Sequence, residues 1–450
     1  MFRALLLILL LEGFITISVE IITIRQLTPF FGSSIVITSI IIGVFLLFLA
    51  LGYWRGGTHS EDFFKKLTKN FILSMFWIGI GLSHSFIYLF FHYITLLLPF
   101  LFSLALYLMI ILAPIVYWLG QTIPLTTNLF NQQQRASRIS GHALFLSTAG
   151  SFLGALTTSL ILFQFIGVAW SVVINCGLLL ILILQLRTQS ALRWWHVAFL
   201  IYGVYCIKLI NIDIGKEQFI LTNNYANYRV VTQPNQTKIL EINSSSSSML
   251  TKNQKSFAYI EYIRDLLFNQ LKLTHKKILV IGAGGFTLTA RGDNNNDVTY
   301  VDIDPAIRKI SEEHFLNNKI IGHFIGQDIR SYLNQSSTLY DVIISDAYSH
   351  QTTIPPQLLT TDYFEQLASH LSPNGLLIVN LIANPLFQDK FSRRADNTIR
   401  HVFEFCYIVP VNWGMSLANM LYVCQNQPSE KHVYTDNLTT ATVDFFSKKH

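Results

Sequence analysis

Residues 278–304 read ILVIGAGGFTLTARGDNNNDVTYVDID: an apolar run, a glycine turn at Gly282, Gly284 and Gly285, and a second apolar run ending at Asp302 and Asp304. This is the outline of two strands of a doubly wound sheet joined through a turn whose missing side chains let backbone approach a ligand. Asp302 stands twenty residues after Gly282, the separation at which a carboxylate can accept from ribose hydroxyls. Gly-Ala-Gly-Gly lacks the spacing of the dinucleotide fingerprint and no Walker lysine follows, which disfavours NAD and ATP. A nucleoside thioether, without pyrophosphate, fits better.

Downstream the pattern continues. Apolar segments KILVIGAG, VTYVDID, HFIGQDI, YDVIISDA, GLLIVNLI, CYIVPV and MLYVCQ alternate with helical ones such as TTDYFEQLASHL and RRADNTIRHVF. Such alternation predicts a parallel sheet covered on both faces, here a methyltransferase-like Rossmann domain over 276–450. Ligands of these sheets bind beyond the carboxyl ends of the strands. Asp328 ends the third strand, in reach of an adenine amino group, and Asp346 ends the fourth, where a transferred group would lie. Asp304 precedes Pro305 and reads as a helix cap. A single Asp after a strand is more often a cap than a ligand; three after successive strands of one sheet point to a site. Upstream, QFILTNN, YRVVTQ and KILEIN predict a small antiparallel sheet, SSSSS at 244–248 a loop, and SFAYIEYIRDLLFNQL an amphipathic helix, together a β-domain with its connecting helix over 216–275.

The preceding residues, 1–215, read as a multi-pass α-helical membrane domain. Apolar runs long enough for about 30 Å of hydrocarbon occur at 4–24, 33–53, 70–92, 95–118, 142–165, 168–186 and 194–211. The first is long, lacks a cleavage site and reads as a retained span rather than a signal peptide. Residues 1–215 carry eleven Lys/Arg against five Asp/Glu, and the remainder twenty-one of each; the basic excess therefore belongs to the helical half and is no nucleic-acid footprint. Arg3, the 55–69 loop, Arg135, Arg138, Arg187 and Arg193 share one face, which places the N-terminus in the cytoplasm. Seven crossings would put the C-terminal domain outside, six inside; the seventh segment, WWHVAFLIYGVYCIKLIN, either crosses or lies in the interface, so the side stays open. Within the first span, Glu20 is expected to pair with Arg25, whereas Glu12 has no evident partner in its own helix and must face the bundle. Cys406 and Cys424 fall in successive strands and are expected to be buried thiols, a disulfide being the alternative.

IGAGG, VDID, GQDIRSYL, IISDAYS and IPPQLLTTDYFEQLASHLSPNGLLIVNL give the half from about 217 to 430 a resemblance to spermidine synthase and related aminopropyltransferases; the N-terminal half, with its E-IITI-R turn at 20–25 and GQTIP at 120–124, resembles the membrane region fused to such domains. The resemblance implies a β-domain before the Rossmann domain, decarboxylated S-adenosylmethionine (or S-adenosylmethionine itself) as co-substrate, and an amine acceptor. Asp302 would hold the ribose, Asp328 the adenine, and Asp346 would orient and deprotonate the attacking amine. Other positions depart: Gly285 stands where the family has Asp, Ser247 replaces a Gln, Lys255, Ser256 and Ile260 replace the acidic pair and His of D-E-F-x-Y-H-E, and Ser349 replaces a second acid. The carboxylates that would surround a polyamine are therefore mostly replaced, with Glu261 and Asp362 as candidate substitutes. The expected partners are the bilayer and a small amine, with no metal and no nucleic acid; a homodimer is left open. Three functions follow: a membrane-bound transferase, a nucleoside- or polyamine-sensing module, or a transporter using Glu12.

Overall fold

The computed structural model describes residues 2–31, 35–130, 136–190, 192–214, 219–243, 245–348, 354–414 and 416–426. Its contacts divide the chain into two compact units, Met1–Lys255 with Lys309–Asn318 and Tyr348–Thr353, and Ser256–Arg308 with Lys319–Ala347 and Ile354–His450.

Among the described residues of the first unit, six helices are long and apolar enough to cross a bilayer: Ala4–Phe31, Ile35–Gly57, Leu101–Thr127, Ser137–Ile166, Val168–Gln185 and Trp194–Asp213. The expected span at 70–92 is not one rod. It divides into Phe63–Gly81 and His84–Ile94, bent by 67°, because Ser83 leaves the helical conformation and its hydroxyl caps the second piece at Phe86 N. Counted as one span, the pair makes seven.

Small residues set the packing. Gly13 lies against Ser147, Gly150 against Leu10 and Gly154 against Phe14, so the first helix runs parallel to Ser137–Ile166 with backbones in contact. Gly52 and Gly56 likewise meet Gly120 and Gln121 along parallel helices. Val168–Gln185 runs antiparallel to Phe63–Gly81, with Thr68 bonded to Ser190 at one end and Cys176 reaching Met75 O farther along. Trp194–Asp213 runs parallel to Phe63–Gly81, its Gly203 against Phe76 and its Ile207 against Gly79. The segment whose crossing was open thus packs lengthwise in the bundle.

Glu12 is 1% exposed and accepts from Thr16 Oγ1 at 2.9 Å and Ser147 Oγ at 3.2 Å. The expectation that its own helix holds no partner is thereby corrected: Thr16, one turn on, is one.

Four antiparallel strands follow: β1 (Leu221–Thr222), β2 (Asn227–Thr232), β3 (Lys238–Ile242) and β4 (Ser245–Leu250), paired in sequence order. The serine run expected as a loop is mostly strand β4, because the tight turn after β3 brings Ser245 opposite Ile242 and backbone pairing outweighs the low strand preference of serine.

The second unit is built on seven strands: β5 (Lys277–Ile281), β6 (Asp297–Asp302), β7 (His323–Gly326), β8 (Tyr340–Ser345), β9 (Leu371–Ala383), β10 (Phe405–Val411) and β11 (Ala418–Gln425), in the order β10-β11-β9-β8-β5-β6-β7. Strands β5 to β9 are parallel, but β11 is antiparallel to both β9 and β10. The wholly parallel sheet is corrected here: the connection between β10 and β11 is too short for a crossover, so the pair closes as a hairpin. That hairpin sets Cys406 directly opposite Cys424, Cα atoms 4.1 Å apart, in a disulfide rather than as two thiols. The helix beginning at Ala258 also differs from expectation. It belongs with this sheet and not with the small one, since Tyr259 bonds Asp346 and Arg264 bonds Leu288 O.

Candidate functional site

Strand order reverses between β5 and β8, the two neighbours of the switch point at which ligands of such sheets bind. Hydrogen bonds extend the ladder one step past the strands there: Gly282 N to Val301 O at 2.9 Å, Asp346 N to Ile281 O at 2.9 Å and Gln327 N to Asp302 O at 2.8 Å. Asp328, Asp302, Gly282 and Asp346 therefore stand in that order along one carboxyl edge, over four adjacent strands spaced about 4.8 Å apart.

The glycine turn is shaped by its neighbours as much as by any ligand. Gly282 has φ +87°, and a Cβ there would collide with the carbonyl oxygen of Asp346. The close approach expected of a ligand is made at Gly282 by the chain itself. Gly284 (φ +48°) and Phe286 (φ +56°) complete a tight reversal in which Phe286 N bonds Ala283 O at 2.9 Å and the Phe286 ring packs on Tyr300 and Phe324. The turn runs into a single 3-10 turn, Thr287–Thr289, rather than a long helix whose N-terminus could hold pyrophosphate. Gly285 follows Gly284 in this reversal.

Asp302 reaches over the turn. Its Oδ2 accepts from Ala283 N at 2.9 Å and its Oδ1 from Asp304 N at 3.0 Å. Burial pushes its carboxyl pKa up, and these backbone donors hold it back. Asp304 is 2% exposed and accepts from Ala306 N at 2.9 Å, a cap as expected. Asp328 is also a cap: its Oδ1 accepts from Ser331 N at 3.0 Å at the start of the helix Ile329–Gln335.

Asp346 is held differently. Tyr259 donates its hydroxyl to Oδ2 at 2.9 Å, and Asn380 donates Nδ2 to Oδ1 at 2.8 Å; Asn419 in turn donates to Asn380 Oδ1 at 2.9 Å. Burial raises the Asp346 pKa, against the lowering effect of Asn380 and Tyr259. Among the described residues no cation bonds it, so no opposite charge offsets the effect of burial. Sequence reasoning gave Asn380 no role. The signal was a single polar residue inside the apolar strand GLLIVNLI, since a polar group enters a core only with a partner.

Glu261 forms an ion pair with Arg291 and accepts from Ser256 N at 2.8 Å, and Asp362 is exposed in the first turn of the helix Thr361–Ser369. Ile260 is buried. Ser247 lies in β4, and Ser349 lies outside the described residues.

Residues 256–432 match the spermine/spermidine synthase domain. That stretch of the chain resembles spermidine synthases. A polyamine aminopropyltransferase of Leptospira interrogans is 23% identical over 391 residues, 79% of this chain and 74% of that one. A probable polyamine aminopropyl transferase of Bifidobacterium longum is 34% identical over 107 residues, and the match spans only 24% of either protein. Among solved structures, a probable spermidine synthase from Corynebacterium glutamicum superposes with a TM-score of 0.39 at 20% identity, covering 49% of this chain and 82% of that one. The spermidine synthase-like unit thus carries its three strand-end aspartates on the edge where the fold collects ligands.

Proposed function

We propose that the chain is a membrane-embedded aminopropyltransferase-type enzyme, moving an aminopropyl group from decarboxylated S-adenosylmethionine to a small amine. The observation that carries this reading is the half-buried Asp346 carboxyl, gripped by two neutral donors at the switch point beside the glycine turn. Asp302 holds the ribose hydroxyls, Asp328 the adenine amino group, and the backbone of Gly282, Gly284 and Gly285 lies along the donor. An ammonium has no lone pair with which to attack. Asp346 therefore takes the proton from the acceptor nitrogen, whose freed pair forms the new C–N bond at the carbon beside sulfur. The C–S bond breaks, and sulfur leaves with that pair as a neutral thioether.

The acceptor has fewer charges than a diamine, because Lys255 and Ser256 stand where the family has an acidic pair and Glu261 is already neutralised by Arg291. Burying a second ammonium without a carboxylate would cost several kcal/mol. The helices named above hold the enzyme in a bilayer, with its N-terminus in the cytoplasm.

Calorimetry on the full-length protein in detergent, with decarboxylated S-adenosylmethionine, S-adenosylmethionine and methylthioadenosine in turn, tests the donor half of this reading. Binding that weakens in Asp302→Asn supports it; no heat with any of the three ends it. Mass spectrometry of products from mono- and diamines tests the acceptor half.

A further inference from the structure

The packing of the first unit assigns each helix end to one of two faces. On the face where the N-terminus begins, Thr68 bonds Ser190 and Ser190 bonds Phe64 O at 3.2 Å, while Gly56 meets Gln121. On the opposite face, Gln26 reaches Leu82 O at 3.0 Å, Tyr107 reaches Gly81 O at 2.8 Å and Asn211 reaches Gly79 O at 2.8 Å. The loops of the first face carry Arg55, Lys65, Lys66, Lys69, Arg138, Arg187 and Arg193. Among the described residues the cations of the second face are used within the protein: Arg25 is 6% exposed, and Lys208 pairs with Asp213 at 3.2 Å.

The small sheet is tied to that second face. Arg25 donates Nε to Asn223 O at 2.6 Å and Nη2 to Asn227 Oδ1 at 2.9 Å. Val168 N reaches Thr222 Oγ1 at 3.4 Å, just after the turn that ends Ser137–Ile166, and the His84 ring meets Phe219 edge-on at 4.6 Å. Among the described residues the last helix able to cross ends at Asp213, so the chain after it stays on this side.

A second observation is independent of the bundle. Cys406 and Cys424 are disulfide-bonded in the other unit, and such bonds persist in oxidising compartments. Basic loops mark the cytoplasmic face; the small sheet occupies the other one.

We infer that the carboxyl-edge site of β5, β6 and β8 works in the non-cytoplasmic compartment and takes its small-molecule ligands from there, with Arg25 clamping the small sheet to that face of the bundle. The inference rests on the membrane-embedded reading. Its substrates are amines and nucleoside thioethers delivered to that compartment, by export or from outside the cell.

The test expresses the full chain in bacterial cells with either alkaline phosphatase or green fluorescent protein fused after His450, and assays the membrane fraction. Active phosphatase with a dark fluorescent fusion is the expected result; fluorescence with silent phosphatase overturns the inference while leaving the transferase untouched. A chain recovered in the soluble fraction overturns the membrane reading itself. As a measurement that needs no fusion, whole cells are lysed directly into denaturant containing a polyethylene-glycol maleimide, which adds mass to every free thiol. Cys406 and Cys424 shift only after reduction if the domain faces outward, and shift without reduction if it faces the cytoplasm.

Discussion

The two ends of the carboxyl edge hold their acids in different ways. At the β6 end, Asp302 is gripped by backbone amides of residues close in sequence to the glycine turn and to itself, Ala283 and Asp304. At the β8 end, Asp346 is gripped by side chains from elsewhere, Tyr259 from a helix and Asn380 from β9. Backbone donors come with the turn and tolerate sequence change, so they suit a cradle for an unvarying nucleoside. Side-chain donors are individually replaceable and suit the end at which chemistry and acceptor choice are tuned. Asp302 and Asp328 keep the family pattern, whereas Lys255, Ser256, Ile260 and Gly285 depart from it.

The sharpest break of this contrast is Asp346→Asn. It is expected to lower the transfer rate by about 10²–10⁴-fold, the usual contribution of a positioned base, and to leave donor affinity unchanged in calorimetry. It also tests the cost of burying the acid. The folded-state pKa of Asp346 is raised, so the folded chain binds that proton more tightly than the unfolded chain does. Its contribution to stability is present below the unfolded carboxylate pKa and is lost as pH rises through the folded value. Thermal unfolding of the wild type should weaken over that window, and in Asp346→Asn the decline should shrink. An unchanged pH profile would remove the burial argument.

Gly282→Ala strikes both ends at once, because its Cβ meets the Asp346 carbonyl and its φ is left-handed. A loss of stability on the order of 2 kcal/mol or more is expected, read by denaturant unfolding. Asp302→Asn should act only at the nucleoside end, weakening donor binding by about 1.5–3 kcal/mol with acceptor KM unchanged. The smallest effect is expected of Glu261→Gln. Its ion pair with Arg291 is partly exposed and contributes under about 1 kcal/mol, and acceptor KM should not move. A large rise in KM would return Glu261 to the acceptor site and erase the contrast.

Much of the nucleoside end was legible in the chain. A glycine turn and a following acid are local features, and strand-end aspartates follow from the alternation of apolar runs. The partners of Asp346 were not legible, because Asn380 stands 34 positions on and no local pattern records the register at which the chain returns. The same holds for Cys406 and Cys424, whose pairing depends on which residues the β10–β11 hairpin sets opposite each other. The serine run failed for the opposite reason: composition argued for a loop, and backbone pairing with β3 prevailed.

By itself the amino-acid order determined the helical half, the alternating sheet and the row of acids, since hydropathy period and turn chemistry act over a few residues. Tertiary structure decided the bend at Ser83, the grip of Tyr259 and Asn380 on Asp346, and the grip of Arg25 on Asn223 and Asn227. Each of these depends on a donor meeting an acceptor or a helix meeting a helix across the packed protein, and such meetings are set by the shape of the whole unit rather than by neighbours in the chain.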